Sequence, residues 1–125
     1  MKVLLDTHSL VWALDRPEHL SKRAVRLIGA GEALVSVACL WELILKRGKK
    51  GALLLDPTAW WNERIVGGDF TVLGIHSKHV LALEHLPEIH GDPFDRILVA
   101  QCRVEGASLV TKDERMGRYG VPIIW

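Results

Sequence analysis

Short apolar runs alternate with helical stretches along this chain, and the first run, Val3-Leu4-Leu5, is apolar at three consecutive positions. Successive side chains of a strand point to opposite faces, so such a run needs cover on both sides and belongs near the centre of a parallel sheet. Comparable runs recur at Ala33-Leu34-Val35, Phe70-Thr71-Val72-Leu73, Ser108 to Thr111 and Pro122 to Ile124. Helices are expected between them. One covers Ser9 to Leu14 and is broken by Asp15-Arg16-Pro17-Glu18; Ser21 caps a second, to about Ile28, and Ser36 a third, to about Lys46. Asp56-Pro57 opens a fourth with proline in the first turn, where its missing N–H costs nothing. Ser77 to Leu86 is a fifth, and a sixth runs from Pro93 or Phe94 to Glu105 before Gly106 stops it. The alternation predicts an α/β fold: a three-layer α/β/α sandwich around a central, mainly parallel sheet of about five strands, in one domain over 1–125.

Bulk properties agree with that architecture and say little about partners. A chain of 125 residues that is 49% hydrophobic buries its own core without disulfides or metal staples. A net charge of +1 selects neither an acidic nor a basic partner. No stretch approaches the roughly 20 apolar residues needed to span a bilayer. Asp6, His8, Asp15 and Arg16 interrupt the start too early for a signal peptide, so a cytoplasmic protein is expected. Cys39 and Cys102 each lie in an apolar helical pattern and read as small buried hydrophobes, not as a disulfide or a zinc pair.

Chemistry enters with four acids at the ends or interruptions of apolar segments. Asp6 closes the first strand, Glu42 interrupts the run from Val37 to Leu45, Asp95 precedes Ile97-Leu98-Val99-Ala100, and Asp113 follows Ser108-Leu109-Val110-Thr111. Each has a structural role open to it. Asp113 can cap Glu114-Arg115-Met116, Asp95 suits the start of a helix dipole, and Glu42 can pair with Lys46 one turn later for about 0.3–0.5 kcal/mol. A parallel sheet, however, gathers ligands beyond the carboxyl ends of its strands, and all four acids can lean over that edge. Two carboxylates about 5 Å apart repel by roughly 3 kcal/mol at an effective dielectric of 20, so a cluster of four calls for a cation. Mg²⁺ or Mn²⁺ suits an all-oxygen site, and the chemistry then available is metal-assisted phosphodiester hydrolysis.

Five segments in order carry a family resemblance across nearly the whole chain. They are Leu4-Leu5-Asp6-Thr7-His8-Ser9-Leu10; Ser36-Val37-Ala38-Cys39-Leu40-Trp41-Glu42; the stretch from Leu86 to Arg96; Leu109-Val110-Thr111-Lys112-Asp113; and the stretch from Tyr119 to Trp125. With these the chain resembles a PIN domain, and more narrowly the VapC-type ribonuclease toxins of toxin–antitoxin (VapBC) pairs. The resemblance implies a Mg²⁺-dependent endoribonuclease with a catalytic quartet of Asp6, Glu42, Asp95 and Asp113. Asp6 and Asp95 would ligate the metal directly, while Glu42 and Asp113 would hold metal-bound waters or a second ion. It further implies an RNA substrate, a VapB-like antitoxin bound over the site, and a homodimer.

Several neighbours are candidates for supporting roles. Asp92 competes with Asp95 for the metal but also suits the turn Gly91-Asp92-Pro93. Thr7 and Thr111 can orient a water or a carboxylate, or finish a helix or strand. Arg96 matches phosphate geometry, and equally a surface ion pair. His8 and His90 lie near the acids, where a hydrogen-bonded or solvated histidine suffices. Lys46, Arg47, Lys49 and Lys50 form the one basic run and can track an RNA backbone in a salt-dependent way, or simply solvate a helix end. Trp12 and Trp41 are expected in the core. Trp60 and Trp61 cannot both face inward, leaving one for a partner, a second subunit or an unstacked base.

Two other readings of acids at strand ends fare worse. A receiver-like phosphoacceptor domain wants paired acids after the first strand and a lysine after the last; Thr7-His8 follows Asp6, and no lysine follows Ile124. A haloacid-dehalogenase phosphatase wants a second Asp where His8 stands. A noncatalytic PIN-like scaffold remains the alternative within the family resemblance.

Overall fold

The computed structural model describes residues 1–125. Five parallel strands form one sheet in the order β3-β2-β1-β4-β5: β1 (Lys2–Leu5), β2 (Glu32–Ser36), β3 (Thr71–Leu73), β4 (Ser108–Val110) and β5 (Ile123–Ile124). The most apolar strand is central, as its composition requires. Val3, Leu4 and Leu5 are fully buried at consecutive positions, so both faces of β1 are covered and the architecture is three-layered.

Six α-helices supply that cover: α1 (Thr7–Asp15), α2 (Lys22–Ala30), α3 (Val37–Leu45), α4 (Pro57–Arg64), α5 (Ser77–Ala82) and α6 (Pro93–Glu105). Five start on side-chain caps. Asp6, Ser21, Ser36, Asp56 and Asp92 accept backbone N–H groups of Ser9, Ala24, Ala38, Ala59 and Phe94, each satisfying a donor that the helix leaves orphaned. α6 stops where Gly106 adopts φ 68°, a left-handed turn that a side chain would strain. α2 packs against β2 and β5, while α6 lies along β4 and carries α5.

Boundaries depart from expectation in three places. The fifth helix is α-helical only to Ala82 and tightens into a 3-10 turn over Leu83–His85. Further 3-10 turns occupy Pro17–His19 and Glu114–Tyr119. Trp41, expected in the core, is 57% exposed and sits edge-on to Phe94, because α3 is apolar on nearly every side and only one side can face the sheet. Trp12 is half-buried against the core beside Trp125, and of the adjacent pair it is Trp61 that is buried. Both cysteines are buried and free.

Candidate active site

Sheet register brings two of the four acids together. Leu5 pairs with Val110, and the Asp6 N–H donates to the Val110 carbonyl at 3.1 Å, so Asp6 leaves β1 beside Thr111. The buried Thr111 hydroxyl stands beside the Asp6 carboxylate, which it helps to keep charged, and accepts the Asp113 N–H at 3.1 Å. Asp113 in turn accepts from the N–H of Arg115, capping the 3-10 turn that follows. Asp95 comes from the first turn of α6, started by the Asp92 cap. Asp6, Asp92, Asp95 and Asp113 all line one open cavity of about 350 Å³, together with His8, Trp12, His90, Lys112 and Arg115.

Glu42 approaches from α3. Its Oε1 accepts the Thr7 hydroxyl, its Oε2 takes the Lys46 ammonium one turn later, and the carboxylate is almost wholly buried. It lines a small adjoining cleft with Thr7 and Lys46, and His8 borders both spaces. A larger cavity, about 530 Å³, opens at Glu32, Asp69 and Phe70 where β2 and β3 begin. That is the opposite edge of the sheet, and no comparable group of carboxylates lines it.

Charge compensation divides the quartet. Arg115 grips Asp113 with Nε at 3.0 Å and a terminal nitrogen at 2.7 Å, holding that carboxyl below its ordinary range. Lys46 neutralises Glu42. Asp6 and Asp95 have no lysine or arginine partner. Burial lifts Asp6 above the carboxylate range despite hydrogen bonds from Thr111 and Ser9. Asp95 is pushed up to about 7, first by burial and then by Asp92, Asp6, Glu42 and Asp113. The buried Cys39 thiol lies within the field of the same acids and is raised to about 12, chiefly by burial, so it is inert.

His90 acquires a role that its sequence position did not reveal. Its Nδ1 accepts the Asp92 N–H at 3.0 Å, and its Nε2 lies 3.0 Å from a terminal nitrogen of Arg115. Nε2 lies 3.5 Å from Asp95 and 3.6 Å from Asp113, between the two carboxylates. The His90 backbone is pinned by the Tyr119 hydroxyl at 2.8 Å. Arg96 points to the Pro87 carbonyl at 2.8 Å and bracing contact with Tyr119, which fixes the same loop and directs its guanidinium away from the carboxylates. The spacing His90-x-Asp92-x-x-Asp95 was the available signal. Of the basic run, Lys46 is turned to Glu42, while Arg47, Lys49 and Lys50 are exposed on the turn beyond α3.

No group of three or more His, Cys, Asp or Glu side chains is drawn tightly enough to cage an ion as the side chains stand. The donor set nonetheless suits a hard divalent cation. Mg²⁺ keeps several waters and is bound through one or two carboxylates; Asp6, Asp92 and Asp95 share the cavity without a lysine or arginine partner, and Asp92 is already engaged as the cap of α6.

Comparison with known proteins places the fold and the family. The chain is 32% identical over 122 residues to Ribonuclease VapC22 of Mycobacterium tuberculosis (strain ATCC 25618 / H37Rv), covering 96% of this chain and 93% of that protein. The fold superposes on VapBC2 from Rickettsia felis, bound to a promoter DNA fragment, with a TM-score of 0.71, 17% identity and coverage of 98% and 97% of the two chains. DNA-bound VapBC from Salmonella typhimurium gives 0.70, 18% identity and coverage of 98% and 96%. The PIN domain model matches residues 3–122, and the chain belongs to the PIN domain family.

Proposed function

We propose that this protein is a Mg²⁺-dependent endoribonuclease, with Mn²⁺ as a possible substitute, acting as the toxic component of a toxin–antitoxin pair. The observation that carries the reading is the shared cavity in which Asp6 and Asp95 face one another's field without a lysine or arginine, with Asp95 raised to about 7. The name of the Mycobacterium tuberculosis relative supports RNA as substrate, and the VapBC neighbours support a VapB-like antitoxin as partner. A homodimer and a cytoplasmic location complete the proposal; no helix is long and apolar enough to cross a membrane.

In this mechanism Asp6 and Asp95 would hold the cation. When bound, Mg²⁺ supplies an activated water and bears charge that develops on the phosphoryl group. Glu42, fixed by Thr7, and Asp113, fixed by Thr111 and Arg115, orient waters around the cavity. His90 stands between Asp95 and Asp113 and borders the Arg115 guanidinium, spacing the two carboxylates. Asp92 sets the start of α6 and orients the His90 ring. Arg47, Lys49 and Lys50, with Lys46 when released from Glu42, follow the RNA backbone, so binding weakens as salt rises.

Purified protein is expected to cut RNA with Mg²⁺ or Mn²⁺, and EDTA, Asp6→Asn or Asp95→Asn to abolish cutting. Cleavage that persists through all three defeats the proposal. A noncatalytic scaffold is favoured by one observation, the internal neutralisation of Glu42 and Asp113. Titration calorimetry with Mn²⁺ separates the two: a scaffold takes up no ion.

A further inference from the structure

Beside the acidic cavity lies a group of rings that the metal chemistry does not use and that the core covers only in part, through Trp12 and Trp125. Trp12 and His8 line the same cavity as Asp6, Asp95 and Asp113. Around the Trp12 ring stand His8 at 5.5 Å, His19 at 5.4 Å and Trp125 at 6.1 Å between centroids, at interplanar angles of 61°, 41° and 59°. The rings tilt about Trp12 instead of stacking face to face. His8 and His19 are exposed.

Their polar edges are also uncommitted. The ring nitrogens of Trp12, His8 and His19 make no hydrogen bond within the protein, whereas Trp60, His79 and His90 each have theirs engaged. Trp41 is more exposed than Trp12 but packs on Phe94 and does not line the cavity. The aromatic surface continuous with the acids is therefore the one built on α1.

We propose that Trp12, with His8 and His19, forms a stacking subsite for an unpaired nucleobase adjoining the phosphate at the acidic cavity. This rests on the ribonuclease reading and adds to it a surface that holds the base next to the phosphate. Proteins that hold single strands combine charge for the backbone with aromatic rings for splayed bases, and every base offers a π-face to such rings. Here the acids, with the cation they would hold, face the phosphate, and Trp12 and His8 form a ring-lined wall of the same cavity, with His19 behind Trp12. The exposed ring nitrogens add donors and acceptors for a base edge.

The test uses the full chain carrying Asp95→Asn, so that substrate is bound without being cut. Fluorescence anisotropy in Mg²⁺ measures binding of a labelled single-stranded RNA of mixed sequence and of the matching strand made entirely of abasic residues. His8→Ala, at an exposed position, and Trp12→Leu, checked by thermal melting, are added in turn. Each is expected to weaken RNA binding about five- to a hundredfold and to leave binding of the abasic strand unchanged. Equal affinity for RNA and abasic strand, equal weakening of both, or no effect of either substitution overturns the subsite and assigns these rings to packing or to a protein partner. Failure of the Asp95→Asn protein to bind either strand overturns the subsite, while absence of cleavage by the parent protein in Mg²⁺ or Mn²⁺ separately overturns the ribonuclease reading.

Discussion

The two ends of α6 carry carboxylates in opposite condition. Asp95, in the first turn, sits where the helix dipole favours negative charge, yet its pKa is raised to about 7 by burial and four acidic neighbours. Glu105, at the last residue, sits where the dipole disfavours charge, yet its pKa is lowered by His79 and Lys78. His79 is wholly buried, donates to Glu105 at 2.8 Å and accepts the His76 N–H at 2.9 Å, tying α5 to the end of α6. Specific partners thus override the dipole at both ends. One end is satisfied from within and holds the fold together; the other is left short of positive charge, which a purely structural acid would not be.

The largest effect expected is chemical and confined to one end. Asp95→Asn lowers Mg²⁺-dependent cleavage by a thousandfold or more, about 4 kcal/mol of barrier, while Glu105→Gln leaves the rate per folded molecule unchanged. Comparable loss from both in a gel-based cleavage assay breaks the contrast. His79→Ala comes next: removing a fully buried ring and two hydrogen bonds lowers stability by about 3 kcal/mol in urea unfolding without altering cleavage of the folded fraction.

A smaller effect sharpens the contrast through pH. Asp95 keeps its proton to about 7 when folded and only to about 3.8 when unfolded. Between those values the native state binds the extra proton, so the contribution of Asp95 to stability falls as pH rises. Metal-free Asp95→Asn is therefore expected to gain roughly 2 kcal/mol over the parent between pH 4 and 8, allowing for screening in an open cavity. A melting difference that is flat over that range refutes it; the opposite contribution of Glu105 is common to both proteins and cancels. Least of all, His90→Ala weakens Mn²⁺ binding about tenfold by calorimetry, and His90→Gln, which keeps a polar side chain between Asp95 and Asp113, restores most of it.

Much of this was readable locally. Three consecutive apolar residues before Asp6 place β1 at the centre, and Ser21, Ser36 and Asp56 mark helix starts that the structure has as caps. That Asp6 and Asp113 share an edge also follows from strands of one parallel sheet. What stayed hidden depends on through-space choices. The Glu42–Lys46 pair was open to the sequence, but Arg115 folding back onto Asp113, and His90 reaching across from a loop pinned by Tyr119, 29 residues away in sequence, were not. Trp41 misleads because a helix apolar on nearly all sides gives periodicity nothing to choose between.

The dual duty of Asp6 has a practical consequence. One of its oxygens anchors the opening turn of α1 through Ser9, a service that asparagine can continue and alanine cannot. Replacing it by alanine would confound lost chemistry with a loosened first helix, by about 1 kcal/mol. Asp95 starts no helix, since Asp92 does that for α6, so silencing the enzyme there leaves the scaffold's entry points intact.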